Sequence, residues 1–138
     1  MDPKIKMSYV DDEKYNVQNR TGNKVTIDMY EPEKKENLSP VELLLGAVTS
    51  CAAVEIVSMI KKRRRDFKNI MAESSGKRAD TAPRYFKSID IKYYIYSSDL
   101  KHDEAERFIF LSLEKYCSVG STIRKDTIIK HSFEILRS

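Results

Sequence analysis

Ser39-Pro40-Val41-Glu42, followed by LLLGAVTSCAAVEIVSMIKKRRR (residues 43–65), is the stretch that decides the fold. Serine suits the N-cap and proline the first helical position. Glutamate three residues after the cap completes a capping box, so a helix starts here. The run is apolar almost all round as far as Ile60. A helix of that pattern is buried on most sides, in a core or in a subunit interface. Its end carries Lys61-Lys62-Arg63-Arg64-Arg65, where the helix dipole favours positive charge without any ligand. Reading these five residues as a nucleic-acid contact would also require an aromatic platform or a groove-reading motif, and neither is present.

Upstream of this helix the pattern is that of strands. Residues 5–9 (IKMSY), 15–18 and 25–29 (VTIDM) alternate, and Asn19-Arg20-Thr21-Gly22-Asn23 supplies a hairpin turn between the last two. Residues 31–38 (EPEKKENL) read as a charged loop. Downstream, residues 69–78 and the β-branched and aromatic run YFKSIDIKYYIY (85–96) predict two strands, with Thr81-Ala82-Pro83 as the turn. A second helix is expected from near Asp99 to Tyr116, ended by Cys117. Residues 118–124 form a short helix or turn, and residues 127–136 a final strand. No repeat, linker or low-complexity tract interrupts this order. The reading is one α+β domain spanning residues 1–138.

With 138 residues the chain is long enough for one packed core without metal or disulfide support. A charged fraction of 33% with only four glycines and four prolines favours long regular elements over a loop-rich scaffold. The net charge of +4 is too small to argue for nucleic acid. Counted as an uninterrupted apolar run, no stretch reaches the roughly 18–20 residues of a bilayer span. The N-terminal MDPKIKMSYVDDEKY lacks the apolar core of a signal peptide. The expectation is a cytoplasmic protein with no membrane partner, in a compartment where thiols stay reduced. Two cysteines and two scattered histidines (His102, His131) show no zinc spacing, so neither metal nor cofactor is expected.

Cys51 lies among small residues in Thr49-Ser50-Cys51-Ala52-Ala53. Such neighbours admit a substrate to the sulfur, and they equally suit tight helix packing around a buried cysteine. Cys117 stands where one helix stops and another begins. Main-chain N–H groups of the following turn would face its sulfur and lower its pKa. Glu55 lies one turn beyond Cys51 on the same helix face, whereas Glu42, nine residues before it, falls on nearly the opposite side at ~100° per residue. An unpaired Glu55 would disfavour a Cys51 thiolate, and a cation would then be needed. The alternative makes Glu55 a surface acid, paired or solvated.

Two segments, Ser39-Pro40-Val41-Glu42-Leu43-Leu44-Leu45-Gly46-Ala47 leading to Cys51, and Glu114-Lys115-Tyr116-Cys117-Ser118-Val119, resemble the two signatures of the OsmC/Ohr family. The order of elements fits along nearly the whole chain, and the S-P-x-E-L-L-L start resembles the OsmC-like branch. The resemblance implies an OsmC-like fold, with antiparallel sheets wrapped around a long central cysteine-bearing helix in an intertwined homodimer. It implies a thiol-dependent reductase of organic or hydrogen peroxides. Cys51 would be the attacking thiolate, Cys117 would close a disulfide with it, and a cellular dithiol would reduce that disulfide. Arg20, in the hairpin turn, matches the setting of the family arginine that holds the thiolate and polarises the peroxide, and it would supply the cation. The family glutamate that pairs with this arginine directly follows the proline, where this chain has Val41. Glu55, on the Cys51 face, is the candidate to replace it. The alternative implied by the same resemblance is a non-catalytic, stress-associated or small-molecule-binding member of the fold.

Overall fold

The computed structural model describes residues 2–137. They divide into two compact units, Met1–Leu44 and Leu45–Ser138.

The first unit is an antiparallel three-stranded sheet in the order β1 (Lys6–Asp11), β2 (Lys14–Gln18), β3 (Lys24–Asp28). Apolar residues alternate in register across it, with Tyr9 opposite Tyr15 and Tyr15 opposite Ile27. In the β2–β3 turn the Asn19 Oδ1 accepts the N–H groups of Thr21 and Asn23, and Gly22 adopts φ +86°, a left-handed conformation that favours glycine. Past β3 the charged loop folds onto Asp28, whose carboxylate is fully buried. That carboxylate accepts the N–H groups of Glu36 (3.0 Å) and Asn37 (2.9 Å) and the Asn37 side-chain amide (2.9 Å). Burial alone would raise the Asp28 pKa. The N–H of Glu36, followed by the two Asn37 donors, outweighs burial and holds it at about 2. Lys35 reaches the Asp28 carbonyl at 3.0 Å and Glu42 at 3.2 Å.

Helix α1 (Pro40–Lys62) begins with the expected capping box: Ser39 N–H donates to Glu42 Oε1 (2.8 Å), and Glu42 N–H donates to Ser39 Oγ (3.3 Å). By length and composition alone α1 could cross a bilayer, with a mean hydropathy of 2.0 over its most apolar window. This corrects the count of uninterrupted apolar residues, which Glu42 and Glu55 cut short while an average tolerates them. Within the second unit the helix buries a stripe at i, i+4 spacing, Val48, Ala52, Ile56 and Ile60, each fully inaccessible. Arg64, at φ +62°, ends it, with Arg65 N–H on the Ile60 carbonyl and Arg64 N–H on that of Lys61. Arg65 thereby turns back to Glu104, which it grips through two nitrogens (2.9 and 3.1 Å) while Arg63 adds a third contact at 2.9 Å. Arg65 foremost holds the Glu104 carboxyl at about 2.

The second unit's sheet runs β4 (Asn69–Arg78), β5 (Phe86–Tyr96), β6 (Ile128–Leu136), with β5 central. Ile89, Ile91, Tyr93 and Ile95 of β5 point to the core and are essentially inaccessible. Burial of each such isoleucine contributes roughly 1.5–3 kcal/mol. The pairing of β4 with β5 is antiparallel as expected, but β6 runs parallel to β5, so this sheet is mixed. The reason is the connection: 31 residues carrying helices separate β5 from β6, long enough for a crossover.

Helix α2 (His102–Leu111) stops five residues earlier than the periodicity suggests. Residues 112–116 widen into one π-helical turn, closed by Cys117 N–H on the Ser112 carbonyl at 2.7 Å. The extra residue re-aims the chain at Cys117 and beyond, a common device near functional positions. It leaves the Ser112 hydroxyl buried with no hydrogen-bond partner among the described residues. Helix α3 (Ser118–Thr122) starts at Cys117.

Candidate functional site

Cys51 of α1 and Cys117 at the start of α3 meet in the second unit without a disulfide between them. Cys117 is fully buried and Cys51 partly accessible. The Cys117 Sγ donates to the Val48 carbonyl at 3.7 Å and accepts the Gly120 N–H at 3.2 Å. A side chain at Gly120 would place its Cβ 3.3 Å from the Cys117 sulfur, so glycine permits this approach.

The chemistry of the two sulfurs diverges. The Val119 N–H on the Cys51 sulfur pulls this thiol below the ordinary cysteine range, against the effect of burial. The nearby Cys117 side chain and the Ser118 N–H add to the effect, and the charge of Glu55 opposes it. Burial pushes Cys117 up, and the neighbouring Cys51 charge pushes it further. The pair therefore holds its first negative charge on Cys51 and its proton on Cys117. The expectation for Cys117 is thus corrected. N–H groups of the following turn do face the thiols, but their net gain goes to Cys51, because Cys117 loses more by burial than Gly120 returns.

Tyr93 of β5 completes the site, its hydroxyl donating to the Thr49 carbonyl at 2.8 Å. Its phenol is pushed well up by burial and by the charges of both cysteines, so it stays neutral. Sequence reasoning passed over Tyr93, which read as one more aromatic in a strand. The only signal was its place on the inward-facing side of that strand.

Glu55 lies on the Cys51 face as helix geometry requires, and it has no ion-pair partner among the described residues. Arg20 belongs to the first unit, exposed in the β2–β3 turn with its Nε 3.3 Å from the Asp2 carbonyl. Glu42 is occupied by Ser39 and Lys35. The cation expected beside Cys51 has a counterpart in main-chain N–H groups. The basic run 61–65 is largely spent inside the unit, Arg63 and Arg65 on Glu104 and Lys61 over the Phe67 ring at 5.5 Å. No group of side chains suited to hold a metal occurs among the described residues.

A partly exposed, activated thiol beside a buried protonated one, on an α+β scaffold, defines a two-cysteine thiol protein. A family model described as OsmC-like protein matches residues 33–132, and the chain belongs to this family. Protein YhfA of Escherichia coli K12 is 33% identical over 116 residues, covering 84% of this chain and 85% of that protein. The crystal structure of a hypothetical protein from Aquifex aeolicus VF5 superposes with a TM-score of 0.88 at 27% identity, covering 100% and 98% of the two chains. The organic hydroperoxide resistance protein OhrB of Bacillus subtilis has a TM-score of 0.65 at 15% identity, with 95% and 98% covered, and shares the fold.

Proposed function

We propose that this protein reduces organic or hydrogen peroxides through its two cysteines. The observation that carries the reading is the Cys51 sulfur, partly accessible and lowered in pKa by the Val119 N–H beside a buried, protonated Cys117. The Cys51 thiolate attacks one peroxide oxygen and the O–O bond breaks. The sulfur becomes a sulfenic acid, and the leaving oxygen takes a proton from water and departs as alcohol or water. The Cys117 sulfur then attacks the sulfenic sulfur, forming a disulfide and releasing water. A dithiol reduces that disulfide, regaining both thiols here and leaving as its own disulfide. Family resemblance gives Arg20 the role of polarising the peroxide, and Arg20→Gln tests it by its effect on peroxide reduction.

A homodimer belongs to the same proposal. Met7 and Tyr9, with Ile5 just before β1, fall at alternate positions and expose 63%, 65% and 58% of their surface, which a second copy would cover. A second reading, non-catalytic ligand binding, draws on Val41 and on the commitment of Glu42 to Ser39 and Lys35. Consumption of cumene hydroperoxide with dithiothreitol decides between them. Catalytic turnover with loss of both thiols as one intramolecular disulfide supports the peroxidase. No consumption and two persisting thiols would overturn it.

A further inference from the structure

The second unit has an open cleft of about 700 Å³ where β4 turns into β5 and β6 begins. Lys77, Arg78, Lys87 and Lys130 line it together with Tyr85 and Ile128. Lys77 lies opposite Ser88, and Ser88 opposite Ile128, so one row across three strands forms its floor. By strand alternation this row faces away from Ile89, Ile91 and Tyr93, and hence from the thiols, while Arg78 and Lys87 join the cleft at the irregularity beside Lys77.

Some cations of this chain are spent on acids: Arg63 and Arg65 on Glu104, Lys35 on Asp28 and Glu42, Arg124 on Asp126. Those lining the cleft are not. Arg78 donates its Nε to the Arg84 carbonyl at 2.9 Å, and Arg84 donates its own to the Ala79 carbonyl at 3.1 Å. These neutral acceptors fix the guanidinium groups without cancelling their charge. Lys77, Lys87 and Lys130 form no ion pair among the described residues. Of the two acids at the cleft, Asp80 and Asp126, the second is occupied by Arg124 at 2.6 and 3.1 Å. That guanidinium lies 3.7 Å from the centre of the Tyr85 ring, making an ordered flat wall.

We propose that this cleft binds a small organic phosphate, its charged groups among Lys77, Arg78 and Lys130 and its apolar part against Tyr85 and Ile128. A single carboxylate would leave most of this charge unmatched, whereas phosphate brings up to two charges and three acceptor oxygens. The volume is that of a small-molecule site. A nucleic-acid strand would need the basic surface to continue, and in the other basic run Arg63 and Arg65 are tied to Glu104.

The test uses the full chain with ADP, adenosine and a single-stranded oligonucleotide, read by calorimetry and by amide NMR shifts. ADP should bind once, shifting residues 77–88 and 126–130, and adenosine should not bind. Lys77→Gln with Lys130→Gln should weaken ADP about 100-fold, at about tenfold for each lost charge-assisted contact. Cys51 alkylation in that variant should stay within about twofold, showing that the unit is folded. ADP shifts elsewhere, unchanged ADP affinity in the double variant, or tighter salt-sensitive binding of the oligonucleotide would each overturn the proposal.

Discussion

In Asp28 of the first unit and Cys51 of the second the charged form is favoured in the same way, by main-chain N–H groups from a short segment folded against it. Their outcomes differ because of what else surrounds them. Asp28 is sealed from solvent, receives a third donor from the Asn37 side chain and has Lys35 at 3.7 Å, so its charge serves only to hold the loop. Cys51 keeps part of its surface open, has in Glu55 an acid with no ion-pair partner among the described residues, and has a second thiol as neighbour. One device thus stabilises a structure where it is closed and activates a nucleophile where it is open.

The largest expected effect removes the open anion. Cys51→Ser should lower peroxide reduction with dithiothreitol to the uncatalysed rate, a loss on the order of 10³-fold or more. Its thermal midpoint should hardly move, since the site contributes reactivity rather than stability. Turnover retained in Cys51→Ser would shift the attacking role to Cys117 and end the contrast as stated.

The closed anion should give the reverse result. Asp28→Ala strips the Glu36 and Asn37 N–H groups of their acceptor and should lower the Tm by about 5–10 °C, with Cys51 alkylation of the folded protein unchanged. The sign with pH is set by the depressed carboxyls. Asp28 falls from 3.8 to about 2, and Glu104 from 4.5 to about 2. Their stability is fully present above about pH 4.5 and is lost as the pH falls toward 2. Urea midpoints measured from pH 6 to pH 2 should drop in this window, less steeply in Asp28→Ala.

How much of this was legible in the sequence depended on how local each feature is. The Ser39–Glu42 box and the cysteine-bearing helix are coded within a few residues of one another and form as read, but instead of burial on most sides the helix buries one stripe, Val48, Ala52, Ile56 and Ile60. Motif spacing and helix geometry single out the two thiols and Glu55 as neighbours, and in the structure they lie together. The parallel β6 and the π-helical turn at 112–116 were not legible, since both arise from how distant segments pack. Val119 and Ser118 act through backbone N–H groups, which no side-chain pattern encodes. Tyr93 acts through a contact 44 positions away.

A smaller effect probes why Cys117 stays protonated and hidden. Tyr93→Phe removes the hydrogen bond to Thr49 that ties β5 to the helix turn carrying Val48, whose carbonyl accepts the Cys117 S–H. The loss should cost about 1 kcal/mol in urea denaturation. Cys117, shielded in the native protein, should then be alkylated several-fold faster while the pH midpoint of Cys51 alkylation stays put. If Cys117 remains as slow as before, its protection resides in Gly120 and the π-helical turn instead.

The smallest expected effect is the most discriminating. The charge of Glu55 works against the Cys51 thiolate, so Glu55→Gln should speed alkylation at pH 7 by about two- to threefold through a larger thiolate fraction. If Glu55 does nothing more, peroxide reduction rises with alkylation, as both report the same anion. If Glu55 takes the place of the carboxylate missing at Val41 and orients an arginine toward the peroxide, the two rates separate. Alkylation needs only the thiolate and still rises, whereas peroxide reduction needs a polarised O–O bond and falls. Measured on one preparation, the ratio of the two rates cancels changes in folded fraction. A ratio equal to that of the native protein would reduce Glu55 to a neighbouring charge, and Asp28 and Cys51 would then differ only in exposure and in the company of Cys117.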